Sequence, residues 1–83
     1  MRKPNKLIGA TVTFKPGSHS PWKINPLGQT LIIIDGIGWA QCEGEYVFEI
    51  RSGDIVQFPQ GKRHWDGATL LFTNLKMETL CSF

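Results

Sequence analysis

The sequence predicts an all-β fold, a barrel or sandwich of short strands around one core. Turn signals built on Gly and Pro recur at short intervals: PG at 16–17, PLG at 26–28, DGIG at 35–38, EGE at 43–45, SGD at 52–54, PQGK at 59–62 and DG at 66–67. The segments between them are rich in β-branched and aromatic residues, and no window keeps a helical period. Short strands with this punctuation are typical of antiparallel sheets.

The strands are predicted, in chain order, at ATVTFK (10–15), QTLIIID (29–35), GWAQC (38–42), YVFEI (46–50), IVQF (55–58) and ATLLFTNL (68–75). In YVFEI the residues Tyr46, Phe48 and Ile50 share one face, which indicates a half-buried strand. The run LIII is apolar on both faces, so it predicts a central strand or one covered by a second subunit. METLCSF at the C-terminal end could make a last turn of helix, but it is too short to assign.

The chain has 83 residues, enough for one domain, which buries only about 60–65% of the surface that the unfolded chain exposes. We expect residues 1–10 to form a basic N-terminal arm or edge strand and residues 11–83 to form the β-barrel domain. Because the core of so short a chain is thin, and because LIII is apolar on both faces, we expect a homodimer.

Charge and composition exclude several classes of protein. The formal net charge is +2, and much of the positive charge lies in MRKPNK at the start. A nucleic-acid-binding surface needs basic residues clustered with aromatic ones, so no nucleic-acid partner is expected. No apolar stretch reaches membrane-spanning length, and the start lacks the apolar region of a signal peptide. Cys42 and Cys81 form no metal-finger spacing, so we expect two reduced thiols in a cytoplasmic protein with no membrane association.

Two polar segments contain the side chains that could bind a ligand or take part in a reaction. In PWKINPLGQT, Lys23 and Asn25 are two residues apart and point to the same side of an extended chain, and Gln29 follows beyond a turn. In GDIVQFPQGKRHWDGA, a PQG turn leads to His64, with Asp66 on the same side of the strand. By the same parity Trp22 and Trp65 face away from Lys23 and His64.

These two segments resemble the paired motifs of the small single-domain cupins, over residues 11 to 76. Gly17, Gln29 and Gly36 fit the first motif, and the second is fitted by Gly53-Asp54, Pro59-x-Gly61 and His64. The match is nearest to the small cupins associated with carboxymuconolactone decarboxylase, within the RmlC-like cupin superfamily. The resemblance implies a double-stranded β-helix, or jelly-roll barrel. It also implies that two metal-binding histidines of the first motif are replaced here by Lys23 and Asn25, and an additional histidine of the second by Asp66.

The replacements argue against a transition-metal cofactor. Of the family's ligand positions only Gln29 and His64 keep a ligand, carboxamide oxygens bind such metals weakly, and a lysine ammonium repels a cation. No cofactor is therefore expected. The alternative is an atypical divalent-metal site in which His19, four residues before Lys23, and Asp66 join Gln29 and His64.

The candidate ligand-binding residues are Lys23, Asn25, Gln29, His64, Asp66 and Phe58, with apolar walls from LIII and from Leu70 or Phe72. Lys23 and Asp66 either form an ion pair inside the barrel, in place of a metal, or Lys23 extends to solvent. We expect a cupin that binds a small polar or anionic ligand without a metal. Two alternatives stay open: a metal-independent isomerase, epimerase or decarboxylase-like enzyme that uses His64, Lys23 and Asp66 as catalytic groups, and a non-catalytic dimeric structural module.

Overall fold

The computed structural model describes residues 7–69 and 71–82. This part of the chain is all β, with strands β1 (Leu7–Phe14), β2 (Ser18–His19), β3 (Lys23–Ile24), β4 (Gln29–Asp35), β5 (Ile37–Cys42), β6 (Phe48–Arg51), β7 (Ile55–Phe58), β8 (Arg63–Ala68) and β9 (Leu75–Ser82). No helix in it is long and apolar enough to cross a bilayer.

The strands form two antiparallel sheets, which enclose the core between them. The first sheet has the order β1-β9-β4-β7. In the second, β8 lies between β5 and the short strands β2 and β3, and β6 forms the far edge beyond β5. β8 thus pairs with three other strands, and it contributes a side chain to the interior at every second residue.

The core lies between the inner faces of the two sheets. Its buried hydrophobic residues are Leu31, Ile33, Ala40, Cys42, Ile50, Phe58, Ala68, Leu75 and Met77. The run LIII lies in β4 and has one buried and one outer face. Leu31 and Ile33 are buried, while Ile32 and Ile34 on the outer face are 36% and 40% exposed. β4 is a central strand, paired with β9 on one side and β7 on the other, as the sequence predicts.

The structure corrects the strand predictions at ATLLFTNL and YVFEI. Among the described residues of ATLLFTNL, only the first and the last belong to strands, β8 and β9. β9 runs through most of METLCSF, so the described residues of this segment form a strand and not a last helical turn. The strand predicted at YVFEI begins at Phe48, and Tyr46 is 94% exposed. At the other end β1 begins at Leu7 and pairs with β9 as an edge strand, while residues 1–6 lie outside the described residues.

The PLG turn brings Gln29 into the barrel. Gly28 has a φ of 89°, in the region that only glycine adopts without strain. A Cβ at this position would lie 2.9 Å from the Phe58 carbonyl oxygen, so the turn packs directly against the end of β7. β4 begins at the next residue, and Gln29 pairs with Phe58.

Candidate functional site

The strand register brings the polar residues of both segments to the inside of the barrel. Lys23 on β3 lies opposite His64 on β8, and Asp66 follows two residues further along β8 on the same face. Gln29 reaches the same space from the other sheet. His64 and Asp66 are 0% and 1% exposed and Gln29 is 8% exposed, so these polar groups are held within the core.

His64 has a partner at each ring nitrogen and on one face of the ring. Nδ1 lies 2.9 Å from the Lys62 carbonyl oxygen, and Nε2 lies 2.8 Å from Gln29 Oε1. The Phe58 ring stacks on the imidazole with centroids 3.8 Å apart and planes 14° apart. The side chain is therefore fixed in position and orientation.

Burial favours the neutral form of the His64 imidazole. Burial lowers the pKa of His64, the hydrogen bond to Lys62 opposes this, and the charges of Lys23 and Asp66 act in opposite directions. A neutral imidazole has one N–H, so it can donate to only one of two oxygens. We assign Nδ1–H as the donor to Lys62. The oxygen and nitrogen of a glutamine amide can be exchanged in placement, so we also assign the Gln29 atom at Nε2 as its NH₂ group, which donates to the ring lone pair.

Lys23 and Asp66 form an ion pair inside the barrel. Lys23 Nζ lies 2.8 Å from Asp66 Oδ1, and the two side chains are 29% and 1% exposed. This separation is the usual one for an ammonium and a carboxylate. The contact does not meet the criteria for a hydrogen bond, and among residues 7–69 and 71–82 this buried oxygen has no other partner. The contact is therefore electrostatic, and the carboxylate keeps unused acceptor capacity.

Two further residues complete the interior. Asn25 is half-buried and its Nδ2 donates to Cys81 Sγ at 3.0 Å, which ties the β3 segment to β9. Cys42 lies opposite His64 in the register of β5 and β8. Burial raises the pKa of the Cys42 thiol, and Glu45 adds to this while Lys62 opposes it. Cys42 is therefore a protonated, packed thiol at neutral pH.

The donor set does not fit a transition metal. Among the described residues no three His, Cys, Asp or Glu side chains converge as ligands. His64 Nε2 already has Gln29 as its partner, and Asp66 is paired with the ammonium of Lys23. His19 pairs with Gly67 on β8, so by strand alternation it lies on the outer face, away from His64 and Asp66. The structure does not bring the four residues of the atypical metal site together.

The residues predicted as walls of the site lie in different parts of the fold. Phe58, Leu31 and Ile33 are buried at 3% or less. Phe72 is 94% exposed and lies in the connection between β8 and β9, so its prediction as a wall is wrong, and Leu70 lies outside the described residues. Trp65 faces outward, as its parity predicts, and Trp22 is 40% exposed with the Arg63 guanidinium 5.4 Å from its ring.

Comparison with known proteins gives the family. The cupin domain model matches residues 10–69. (R)-mandelonitrile lyase of Granulicella tundricola is 49% identical over 77 residues, which are 90% of this chain and 59% of that protein. This chain therefore spans about three fifths of the length of that relative.

Solved structures agree with the fold. A cupin-like protein from Thermotoga maritima has a TM-score of 0.86 and 31% identity, over 90% of this chain and 56% of its own. An RmlC-like cupin with a double-stranded β-helix from Methanocaldococcus jannaschii has a TM-score of 0.83 at 16% identity, over 99% and 73%. DMSP lyase DddQ from Ruegeria pomeroyi has a TM-score of 0.80 at 21% identity, over 93% and 38%. Together with the match over residues 10–69, the two antiparallel sheets and the paired motifs establish that this chain is a double-stranded β-helix of the cupin family.

Proposed function

We propose that this cupin binds a small hydroxyl-bearing molecule at the Lys23–Asp66 pair, without a transition metal. The observation that carries the proposal is the 2.8 Å contact between the Lys23 ammonium and the Asp66 carboxylate inside the barrel. Asp66 is buried, whereas the half-buried side chain of Lys23 connects the pair to solvent. We also retain, as part of this proposal, the assignment to the small cupins associated with carboxymuconolactone decarboxylase.

The chemistry of the pair selects a hydroxyl rather than a simple anion. An ammonium has three N–H donors, more than one carboxylate oxygen can take up, and the carboxylate accepts hydrogen bonds only. A hydroxyl group placed beside the pair, in contact with both, donates to Asp66 and accepts from Lys23. An anion would gain the attraction of Lys23 but would also meet the repulsion of a buried carboxylate next to it. The sequence predicts a polar or anionic ligand, and the ion pair narrows that prediction to a hydroxyl-bearing molecule.

A second candidate function is the cleavage of a hydroxynitrile, favoured by the 49% identity to (R)-mandelonitrile lyase. In this step Asp66 takes the hydroxyl proton, the carbon–oxygen double bond forms as the bond to the nitrile carbon breaks, and cyanide leaves with that electron pair. Lys23 stabilises the negative charge that develops on oxygen. The product cyanide then takes up the proton that Asp66 received. The base in this proposal is Asp66 and not His64, since both nitrogens of His64 already have partners.

The experiment compares mandelonitrile with phenylacetonitrile, which has the same ring and nitrile but no hydroxyl. The protein is purified without metal-affinity resin, treated with a chelator and analysed for bound metal. Binding is followed by NMR chemical shifts, and cleavage by the absorbance of benzaldehyde. We expect mandelonitrile to bind at least about ten-fold more tightly than phenylacetonitrile, the factor given by one well-made hydrogen bond to a charged group.

Variants assign the effect to the pair. Lys23→Met and Asp66→Asn should each remove the preference for the hydroxyl compound, whereas Lys62→Met, at an exposed lysine paired with Glu45, should keep it. Thermal unfolding of each variant checks that it folds. Equal binding of the two nitriles, or binding that disappears with the chelator, would refute the metal-free hydroxyl site. Binding without benzaldehyde release would remove the lyase candidate alone.

A further inference from the structure

The outer face of the second sheet carries a groove lined mainly by aromatic side chains. Its cavity volume is about 620 Å³, within the range of small-molecule sites. We call it the outer aromatic groove, and its lining residues are His19, Trp39, Val47, Phe48, Glu49, Trp65 and Thr69. Trp39 and Phe48 are 38% and 39% exposed, so the aromatic surface is open to solvent.

The strand register builds this groove. His19, Gly67, Trp39 and Glu49 form one row across β2, β8, β5 and β6. A Cβ at Gly67 would lie 2.3 Å from the Cα of His19, so the glycine allows β2 to lie closer to β8 than a side chain would permit. This approach brings the His19 ring to 5.4 Å from the Trp65 ring, with the planes tilted by 55°.

Several groups in the groove are held in place. Trp65 Nε1 donates to Gln41 Oε1 at 2.9 Å, which fixes the indole, and His19 Nδ1 lies 2.8 Å from the Ser20 carbonyl oxygen. Thr69 Oγ1 is buried and has no hydrogen-bond partner within residues 7–69 and 71–82. Buried hydroxyl groups usually have a partner, so this one is available to a ligand.

We propose that the outer aromatic groove binds a small organic cation, an alkylammonium that carries a hydroxyl group. Indole faces attract cations through their ring quadrupole, and this groove has two indoles, a phenyl ring and one carboxylate, that of Glu49. Arg51 Nε donates to Glu49 Oε2 at 2.7 Å and partly compensates that charge, so the rings supply most of the selectivity. The hydroxyl group of the ligand pairs with Thr69 Oγ1.

This site is separate from the Lys23–Asp66 pair. Trp65, Gly67 and Thr69 alternate with His64, Asp66 and Ala68 along the chain, and the first set faces outward while the second is buried in the core. A ligand in the groove therefore has the sheet itself between it and the barrel interior. The proposal does not depend on the proposed function.

The probe pair is choline and 3,3-dimethylbutan-1-ol. The alcohol has the same shape as choline but carries a carbon in place of the charged nitrogen. Each is titrated into the full chain and followed by indole N–H shifts in the NMR spectrum. We expect choline to bind about five-fold more tightly than the neutral alcohol, which corresponds to a cation–π contribution of ~1 kcal/mol. Binding of both with equal strength would overturn the assignment to a cation, as would binding of neither.

Matched tryptophan variants locate the site. Trp39 and Trp22 have nearly equal exposures, 38% and 40%, but only Trp39 lines the groove. Trp39→Ala should weaken choline binding at least about five-fold, and Trp22→Ala should leave it unchanged. Equal loss in both variants would place the cation elsewhere and overturn the proposal. A dimer in sedimentation that Trp39→Glu dissociates would show that a second copy covers the groove, and this too would overturn it.

Discussion

Lys23 Nζ lies 2.8 Å from Asp66 Oδ1, and only the lysine has access to solvent. Removing the ammonium leaves a buried carboxylate without its counterion, so Lys23→Met should lower the free energy of unfolding by about 2–4 kcal/mol. Urea denaturation measures this change. Lys62→Met is the control, because its pair with Glu45 spans 3.6 Å and is exposed, and its loss should cost under about 1 kcal/mol.

The same pair predicts a rescue by a second substitution. A double variant, Lys23→Met with Asp66→Leu, removes both charges and fills the space with apolar groups of similar size. It should regain most of the stability lost in Lys23→Met, since the penalty belongs to the unpaired charge. A double variant as unstable as the sum of the two single variants would show that the two residues do not interact.

The lowered pKa of His64 predicts a loss of stability in mild acid. In the unfolded chain a histidine takes up its proton near pH 6.5, whereas the folded chain resists protonation of His64 to a lower pH. The unfolded state therefore binds more protons as the pH falls below 6.5, and the folded state loses up to about 1.4 kcal/mol per pH unit until the folded pKa is passed. Above pH 6.5 the contribution of the neutral His64 to the free energy of unfolding is fully present.

Denaturation curves between pH 5 and pH 8 test this, with His64→Gln and His19→Gln compared. His64→Gln should flatten the dependence, because the titrating group is gone. His19→Gln should keep it, since His19 lies on the exposed outer face. If the free energy of unfolding still falls with decreasing pH after His64 is replaced, another group causes the dependence.

Histidines at positions 23 and 25 should create a metal site. Lys23→His with Asn25→His removes the repelling ammonium and adds two imidazoles beside His64 and Gln29, the ligand positions that the cupin resemblance implies. The double variant should bind Zn²⁺ at least about 10–100-fold more tightly than the unaltered chain, measured by calorimetry. Asn25→His alone, which keeps Lys23, is the control. Stoichiometric metal in the unaltered chain would contradict this account.

The exposed isoleucines of the first sheet predict a homodimer. Ile32 and Ile55 are partners across β4 and β7, and they are 36% and 68% exposed, with Ile34 beside them at 40%. A second copy that packs on this face would bury all three. Sedimentation should show a dimer that Ile55→Lys dissociates, while Ile24→Lys, at a 54% exposed position on β3, keeps it. A monomer at high concentration would contradict the prediction.

The sequence predicts β4 and β7 within their observed bounds and β5 to one residue, because each is a β-branched or aromatic run closed by Gly or Pro. β8 is absent from the predicted strands, although the parity of His64 and Asp66 treats the segment as extended, since RHWDGA contains a DG pair, which usually marks a turn. Here the glycine serves the close approach of β2 instead. β9 is missed because its alternation, with Leu75 and Met77 buried and Lys76 exposed, is divided between the end of a predicted strand and METLCSF, which is too short to assign from sequence.

The candidate site is predictable as a set of residues but not as a set of contacts. Residue parity alone places Lys23 and Asn25 on one side of the chain, and His64 and Asp66 on one side of another segment. The ion pair requires the register of β3 against β8, two strands some forty residues apart, and local sequence does not fix such a register. The outer aromatic groove has the same origin, because Trp39 and His19 become neighbours only through their common partner, Gly67.

Strand β8 divides the molecule into two environments that can be altered separately. Even-numbered positions from 64 to 68 belong to the charged interior, and odd-numbered positions from 65 to 69 belong to the aromatic exterior. A variant library restricted to the even or to the odd positions would therefore change one of these two surfaces and leave the other as an unaltered control. An insertion of a single residue at Arg63 would exchange the two, and would place tryptophan where the carboxylate now lies.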